Sequence, residues 1–208
     1  MIDLKIDNTN ETTISESFSK IANDLIVNKK LKINDSVFAF IDLEFYYHHP
    51  KHKDTYAAGV AHTRAPGQLE MHRYGVDLSL GPKNDEDKNQ GFGGILIRGL
   101  YCVDSKEVIE KSRVTRIMFN TLQAGADFSN RISIVDGKSE WTEYFTSIRV
   151  NLGKEEGEEN ADHFKKKKYR FLAKHKEVFK KYKGKEALFR KSNLNDNEIE
   201  SLLGYRLK

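Results

Sequence analysis

Two segments of the chain show different hydrophobic periods, and each period predicts one kind of element. Residues 11–27 place apolar side chains three or four positions apart, which is the spacing of one helix face: Ile14, Phe18, Ile21, Leu25 and Ile26. This spacing predicts a helix over 11–27, with a Thr or Ser as its N-cap. Residues 37–47 alternate with a period of two instead, which predicts a strand rich in aromatic and β-branched residues.

The two faces of the predicted strand differ in chemistry. One face is apolar throughout and carries Val37, Ala39, Ile41, Leu43 and Phe45. The other face begins apolar and becomes acidic toward the strand end, with Phe38, Phe40, Asp42, Glu44 and Tyr46. Because side chains alternate across a strand, Tyr46 shares the acidic face and Tyr47 points into the core. We interpret the acidic face as the wall of a pocket.

The rest of the pattern predicts short strands and helices. Residues 28–35 form a polar connection and residues 48–67 a long loop. Further strands are predicted in 68–80, 91–101, 130–152 and the run KKYRFLA, and helices in 105–121 and from 174 onward. We expect an α+β fold, in which helices flank a curved, mainly antiparallel β-sheet. A single domain is expected over 1–208, with a basic C-terminal segment at about 163–208.

Composition narrows the class of protein. The chain has 208 residues, of which 38% are hydrophobic, and 12 Phe and 9 Tyr supply core volume. The single cysteine, Cys102, excludes an internal disulfide and is expected in the core. The start of the chain does not resemble a targeting peptide, and no run of about 18 apolar residues occurs. We therefore expect a cytoplasmic protein with no membrane partner.

Three charged residues interrupt otherwise apolar strands. They are Glu44, Asp77 and Arg98. A charge removed from water is costly unless it is paired, so these side chains are expected to meet one another or to face a cavity. A buried ion network that only specifies the fold is the alternative interpretation, and the spacing alone does not decide between the two.

The runs IDLEFY, YGVDLSLG and GGILIRGLY together resemble the core of alkyladenine (3-methyladenine) DNA glycosylases. The resemblance covers roughly residues 37–103. It implies that Glu44 is the catalytic carboxylate, that Tyr46 stacks on the target base, and that Arg98 lies beside the catalytic water. It also places Asp77 at the pocket floor.

The chain departs from the pattern of that family at three points. The family usually carries asparagine where this chain has Asp77, and a second carboxylate there would raise the pKa of Glu44 or repel it. The family's pocket histidine follows the glutamate at a longer interval than His52 does. The tyrosine that wedges into the DNA stack is matched most nearly by Tyr74 or His72.

The resemblance implies a hydrolase that excises an alkylated or deaminated purine from DNA by base flipping and water activation. No cofactor and no nucleophilic lysine are implied. The alternative is a non-catalytic protein that binds a nucleotide, nucleobase or other small ligand in the same pocket. A structural or regulatory protein is the third interpretation, and the oligomeric state is left open.

Three further features of the sequence bear on function. The histidines at 48, 49, 52, 62 and 72 lack the spacing of a metal site, so no metal is expected. GFGG at 91–94 precedes a strand, and we interpret it as a tight turn. The basic segment interleaves lysines with Phe164, Tyr169, Phe171, Phe179 and Phe189. We expect these aromatic side chains to be buried, while the lysines either contact phosphates or lie in water.

Overall fold

The structure is a computed structural model and describes residues 2–58, 64–72, 75–82, 90–123, 131–150, 152, 161–176, 179 and 189–207. The main α-helices of this part are α1 (Glu11–Asn23), α2 (Thr55–Ala58), α3 (Lys111–Gln123), α4 (Ala161–Lys166) and α5 (Asp196–Leu203). A π-helical turn, Asp24–Asn28, follows α1. No helix of these residues is long and apolar enough to cross a membrane.

Ten strands of the described residues form one curved, antiparallel sheet, so the expected α+β class with a curved antiparallel sheet is confirmed. They are β1 (Lys29–Ile33), β2 (Ser36–His49), β3 (His52–Lys53), β4 (Leu69–His72), β5 (Gly75–Gly81), β6 (Phe92–Cys102), β7 (Glu107–Glu110), β8 (Ile132–Asp136), β9 (Tyr144–Ser147) and β10 (Arg170–Ala173).

The strand order is β4-β5-β6-β2-β1-β8, and the long strand β2 organises the sheet. One edge of β2 pairs with β6 along most of its length. The other edge pairs first with β1 and then with β10, which in turn pairs with β9. Strand β10 thus brings residues from the last quarter of the chain beside the acidic part of β2.

The predicted polar connection at 28–35 is wrong, because it contains strand β1. A two-residue turn with Asn34 in the left-handed region (φ 52°) joins β1 to β2. The strand was not predicted because three of its five residues are lysines. Lys29 is nevertheless buried with its ammonium paired to Asp136, and Lys30 donates to the hydroxyl of Ser139. Long lysine stems can cover apolar surface in this way while their charged ends stay paired.

Two predicted helices differ in their bounds. Helix α1 begins after Asn10, whose side chain accepts from Thr13 N, while the Thr13 hydroxyl accepts from the backbone N–H of Asn10. The N-cap is therefore an asparagine in a reciprocal capping box, not a Thr or Ser. The helix predicted over 105–121 begins only at Lys111, because residues 107–110 form β7 and pair with the end of β6.

The main core lies on the face of β2 that was predicted to be apolar. Leu43, Phe45 and Tyr47 are buried there, and the Phe18 ring of α1 lies 4.9 Å from the Phe45 ring. The five aromatic residues of the basic segment named above are also buried, so that expectation is confirmed. Burial of these large rings anchors the C-terminal segment to the sheet.

Candidate functional site

On the opposite face of the sheet, a row of paired residues crosses five strands and is charged on four of them. The register aligns Arg170 of β10 with Glu44 of β2, then Leu96 of β6, then Asp77 of β5, then Glu70 of β4. Residues paired across antiparallel strands have their side chains on the same face. Glu44 and Asp77 are therefore separated by one strand, on which Leu96 lies between them.

Arg98 joins this row from β6, two residues beyond Leu96 on the same face. Its Nη1 lies 3.3 Å from Glu44 Oε2, and the two side chains are 10% and 6% exposed. We call the group formed by Glu44, Tyr46, Asp77 and Arg98 the carboxylate site. The structure thus brings together four of the residues singled out from the sequence, while their chemical roles stay predictions.

Glu44 is buried without full compensation of its charge. Its Oε2 accepts no hydrogen bond within the described part of the chain, despite the nearby guanidinium. Burial raises the pKa of Glu44, and the charges of Arg98, Arg170 and Arg149 oppose that shift. A buried carboxylate with a raised pKa and an open oxygen lone pair is the arrangement expected of a general base.

Asp77 is fully buried at the far end of the site. Burial raises its pKa to about 8, while Lys111 lowers it and Glu44 raises it further. Neither of its carboxylate oxygens accepts a hydrogen bond from a described residue. His72 Nε2 lies 2.8 Å from Oδ2, but the two atoms do not form a hydrogen bond. Burial also lowers the pKa of His72.

Asp42 and Arg170 form a saturated ion pair beside the site, and the sequence analysis missed the arginine. Arg170 donates from Nε to Oδ1 (2.8 Å) and from Nη2 to Oδ2 (2.6 Å). Arg98 Nε lies 4.0 Å from the same carboxylate. The signal was present, since Arg170 opens the apolar run RFLA, but only the register of β10 against β2 reveals its partner.

A small apolar cluster borders the carboxylates. It comprises Tyr46, Ala57, Phe92 and Leu96 and is separate from the main core. The backbones of β6 and β2 lie close together here, as shown by Gly93: a Cβ at this position would stand 2.2 Å from the carbonyl oxygen of Tyr46. Gly93 therefore permits the close approach that sets Tyr46 beside Leu96. The prediction of a tight turn at GFGG is therefore wrong at Gly93, because this residue lies inside β6.

The structure does not bring His52, the histidine nearest to the family's pocket histidine and a predicted ligand contact, to the carboxylate site. His52 pairs with His49 across the turn at 50–51 and so lies on the core face of the sheet. Its Nδ1 contacts Tyr47 O at 2.7 Å and its Nε2 contacts the Tyr169 hydroxyl at 2.9 Å. Both ring nitrogens are engaged, and burial lowers its pKa. His52 is a satisfied core histidine.

Three predictions remain, and they concern His72, Tyr74 and the absence of a metal site. His72 lies at the margin of the carboxylate site with 21% of its side chain exposed. Tyr74 lies outside the described residues. Within the described ranges, no three His, Cys, Asp or Glu side chains are grouped closely enough to hold a metal ion.

A cleft in the described part of the chain lies away from the carboxylate site. Its volume is about 1150 Å³, and its lining includes Leu4, Tyr47, Leu69 and Ile134. Tyr47 belongs to the core face, so this cleft opens on the side of the sheet opposite to Tyr46 and the carboxylates. The lining of this cleft contains no described carboxylate, so the cleft is separate from the buried charges of the carboxylate site.

Three lysines of the basic segment are paired within the protein. Lys167 contacts Glu11, Lys165 lies 3.6 Å from Asp162, and Lys174 Nζ lies 3.1 Å from Glu198 Oε1. These ammonium groups have carboxylate partners in the folded chain, so less positive charge is available to bind an external polyanion.

Comparisons of the chain with protein-family models, with curated proteins and with solved structures find no match. The resemblance to alkyladenine DNA glycosylases therefore rests on the three sequence runs, and the function that it implies is a proposal.

Proposed function

We propose that the protein is a DNA glycosylase-like hydrolase that excises an alkylated or deaminated purine, with Glu44 activating the attacking water. The observation that carries this proposal is the open Oε2 of Glu44, a buried oxygen that lies 3.3 Å from Arg98 but accepts no hydrogen bond from a described residue. Buried polar atoms are usually satisfied, so an exception calls for a ligand or a water.

The neighbouring residues suit the proposed chemistry. A carboxylate whose pKa is raised by burial lies closer to the working pH and takes a proton more readily from water. Arg98 holds the carboxylate in position, and its charge favours the ionised form that must accept the proton. Tyr46 shares the sheet face of Glu44 and lies in the apolar cluster with Phe92 and Leu96, where a flipped base could stack.

A nucleotide- or nucleobase-binding protein without catalysis is the second candidate. Two observations favour it: Asp77 adds a second buried carboxylate beside Glu44, and the three described lysines discussed above are paired internally. A neutral Asp77 can both donate and accept a hydrogen bond, which suits the edge of a nucleobase.

Substitution of Glu44 separates the two candidates. Glu44→Gln keeps the shape of the side chain but cannot accept the proton, so base release should fall about 100-fold or more while binding is retained. Tyr46→Ala should instead weaken binding by about 1–3 kcal/mol if a base stacks there. The measurement is the release of free base from duplexes that carry alkylated or deaminated purines.

The matched control is Glu107→Gln, because Glu107 is an exposed glutamate that also pairs with an arginine, Arg113. It should release base at the wild-type rate. Base release by Glu44→Gln at the wild-type rate would refute the catalytic role. If wild-type protein releases no base but gains thermal stability with a free nucleotide, the binding candidate is correct.

A further inference from the structure

Lys111 enters the carboxylate site from a helix that the sequence analysis did not connect with it. It is the first residue of α3 and is half-buried. Its stem crosses Gly75, since a Cβ at position 75 would stand 3.3 Å from Lys111 Cε and 2.6 Å from Leu96 Cδ1. Gly75 has φ +152° and leaves the space that this stem occupies. The amine is thus held beside the row that contains Leu96 and Asp77.

The amine of Lys111 is not neutralised by a close partner. Within the described ranges it makes no ion pair and no hydrogen bond through Nζ, unlike Lys29, Lys167 and Lys174, which each contact a carboxylate. Burial is the main cause that lowers the pKa of Lys111, and Arg98 lowers it further.

The charged groups around Lys111 come from four strands. Glu44 of β2 and Asp77 of β5 favour its protonated form, whereas Arg98 of β6 disfavours it. On β4, His72 has its own pKa lowered by the Lys111 charge. A lysine that is partly desolvated and next to a second cation is the type that serves as an amine nucleophile.

We propose that Lys111 is an amine nucleophile that forms an imine with C1′ of a deoxyribose, which would give the protein lyase activity at abasic sites in DNA. The proposal rests on the proposed function, because it requires the carboxylate site to receive the sugar of an extrahelical nucleotide. It adds a second activity, strand cleavage, to base release.

The chemistry balances without a cofactor. The neutral amine of Lys111 attacks the open-chain aldehyde at C1′, and a C–N bond replaces the carbonyl bond as one water leaves. Glu44 takes a proton from C2′, the electron pair forms a C2′–C3′ double bond, and the 3′ phosphate leaves with the electrons of its C–O bond. One water then hydrolyses the imine, which returns the amine and releases an unsaturated aldehyde.

The test uses the full chain, a labelled duplex with a preformed abasic site, and sodium borohydride, which reduces an imine to a stable secondary amine. We expect a covalent protein–DNA adduct that maps to Lys111 by peptide mass analysis, and strand cleavage when borohydride is omitted. Lys111→Gln should lose both the adduct and the cleavage. Lys111→Arg should lose them too, although it retains the charge, and thermal melting establishes that both variants are folded.

Lys174→Gln is the control, because Lys174 is also a lysine of the described surface but is paired to Glu198 and lies outside the carboxylate site. It should form the adduct as wild type does. An adduct spread over several lysines, an adduct that persists in Lys111→Gln, or no adduct with wild type would each overturn the proposal. If the protein releases base but forms no adduct, the lyase proposal is refuted and the proposed base excision stands. If an adduct forms at Lys111 but no base is released, base excision is refuted and the lyase proposal stands.

Discussion

The described part of the chain contains two kinds of buried carboxylate. Asp42 and Asp54 are saturated: Arg170 contacts both oxygens of Asp42, and Arg149 contacts both oxygens of Asp54 at 2.7 and 3.0 Å. Glu44 and Asp77 are equally shielded from water but keep oxygens without a hydrogen bond among the described residues.

The comparison shows that burial of a charge does not by itself distinguish a structural residue from a functional one. A carboxylate with a two-point arginine contact has its desolvation cost offset within the fold. A carboxylate with open oxygens retains part of that cost, which a water or a ligand can relieve. The predictions below test whether Asp42 and Glu44 differ in this way.

Loss of the saturated pair should have the largest effect on stability. Arg170→Met leaves Asp42 buried without its two-point contact, and Arg98 Nε is 4.0 Å away. We expect the free energy of unfolding to fall by about 3–5 kcal/mol, the usual cost of breaking a buried ion pair by removing one partner. Urea unfolding followed by circular dichroism measures the change.

Lys174→Met provides the matched control for this change. Lys174 also pairs with carboxylates, Glu143 and Glu198, but at a partly exposed position. Exposed pairs contribute about 0–1 kcal/mol, so the control should unfold nearly as wild type does. Equal destabilisation by the two substitutions would contradict the view that Asp42–Arg170 is a structural pair.

Asp77 should make stability depend on pH. The folded-state pKa of about 8 exceeds the unfolded value, so the folded protein holds a proton that the unfolded chain has lost. The free energy of unfolding therefore falls as pH rises toward 8. Asp77→Asn removes this titration, and wild type should lose about 2 kcal/mol relative to that variant between pH 6.5 and 8.

The measurement is urea unfolding of both proteins across this pH range. His72, whose pKa is lowered by burial, gives the opposite trend mainly below pH 6.5, outside the range compared here. Asp136→Asn is the control, since that exposed carboxyl has a lowered pKa and is ionised throughout the range. A pH-independent difference between wild type and Asp77→Asn would refute the raised pKa.

Glu44→Gln should have the smallest effect on stability. The amide fills the same space and removes a charge that burial disfavours. Arg98 still has a carboxylate partner, because its Nε lies 4.0 Å from Asp42. We expect a change within about 1 kcal/mol at pH 7, as is common where a site is built for activity rather than stability. Thermal and urea unfolding check it, and a loss as large as that of Arg170→Met would identify Glu44 as a structural residue.

The sequence was informative where a charged residue interrupted an apolar strand. Glu44, Asp77 and Arg98 each stand among apolar neighbours, and alternation along β2 assigned Tyr46 and Tyr47 to opposite faces as the structure has them. Local pattern is sufficient for such assignments because it depends on one strand at a time.

Relations between distant strands could not be predicted in the same way. Arg170 meets Asp42 only through the register of β10 against β2, and Lys111 reaches the site only through the placement of α3. The core-face position of His52 depends on a tight turn that reverses the chain, which the local pattern does not indicate. Strand β1 was missed because its lysines are paired or cover apolar surface.

The Asp42–Arg170 pair also has a consequence for the order in which the chain folds during synthesis. The arginine is separated from its aspartate by 128 positions and enters the sheet on β10. The ribosome therefore delivers β2, β5 and β6, with all the acids of the site, well before the guanidinium that saturates Asp42. Arg98, which is made earlier, lies 4.0 Å from Asp42 and 3.3 Å from Glu44 in the folded protein. A chain that ends before residue 170 lacks the guanidinium that saturates Asp42, so the charge balance of the sheet is complete only with β10.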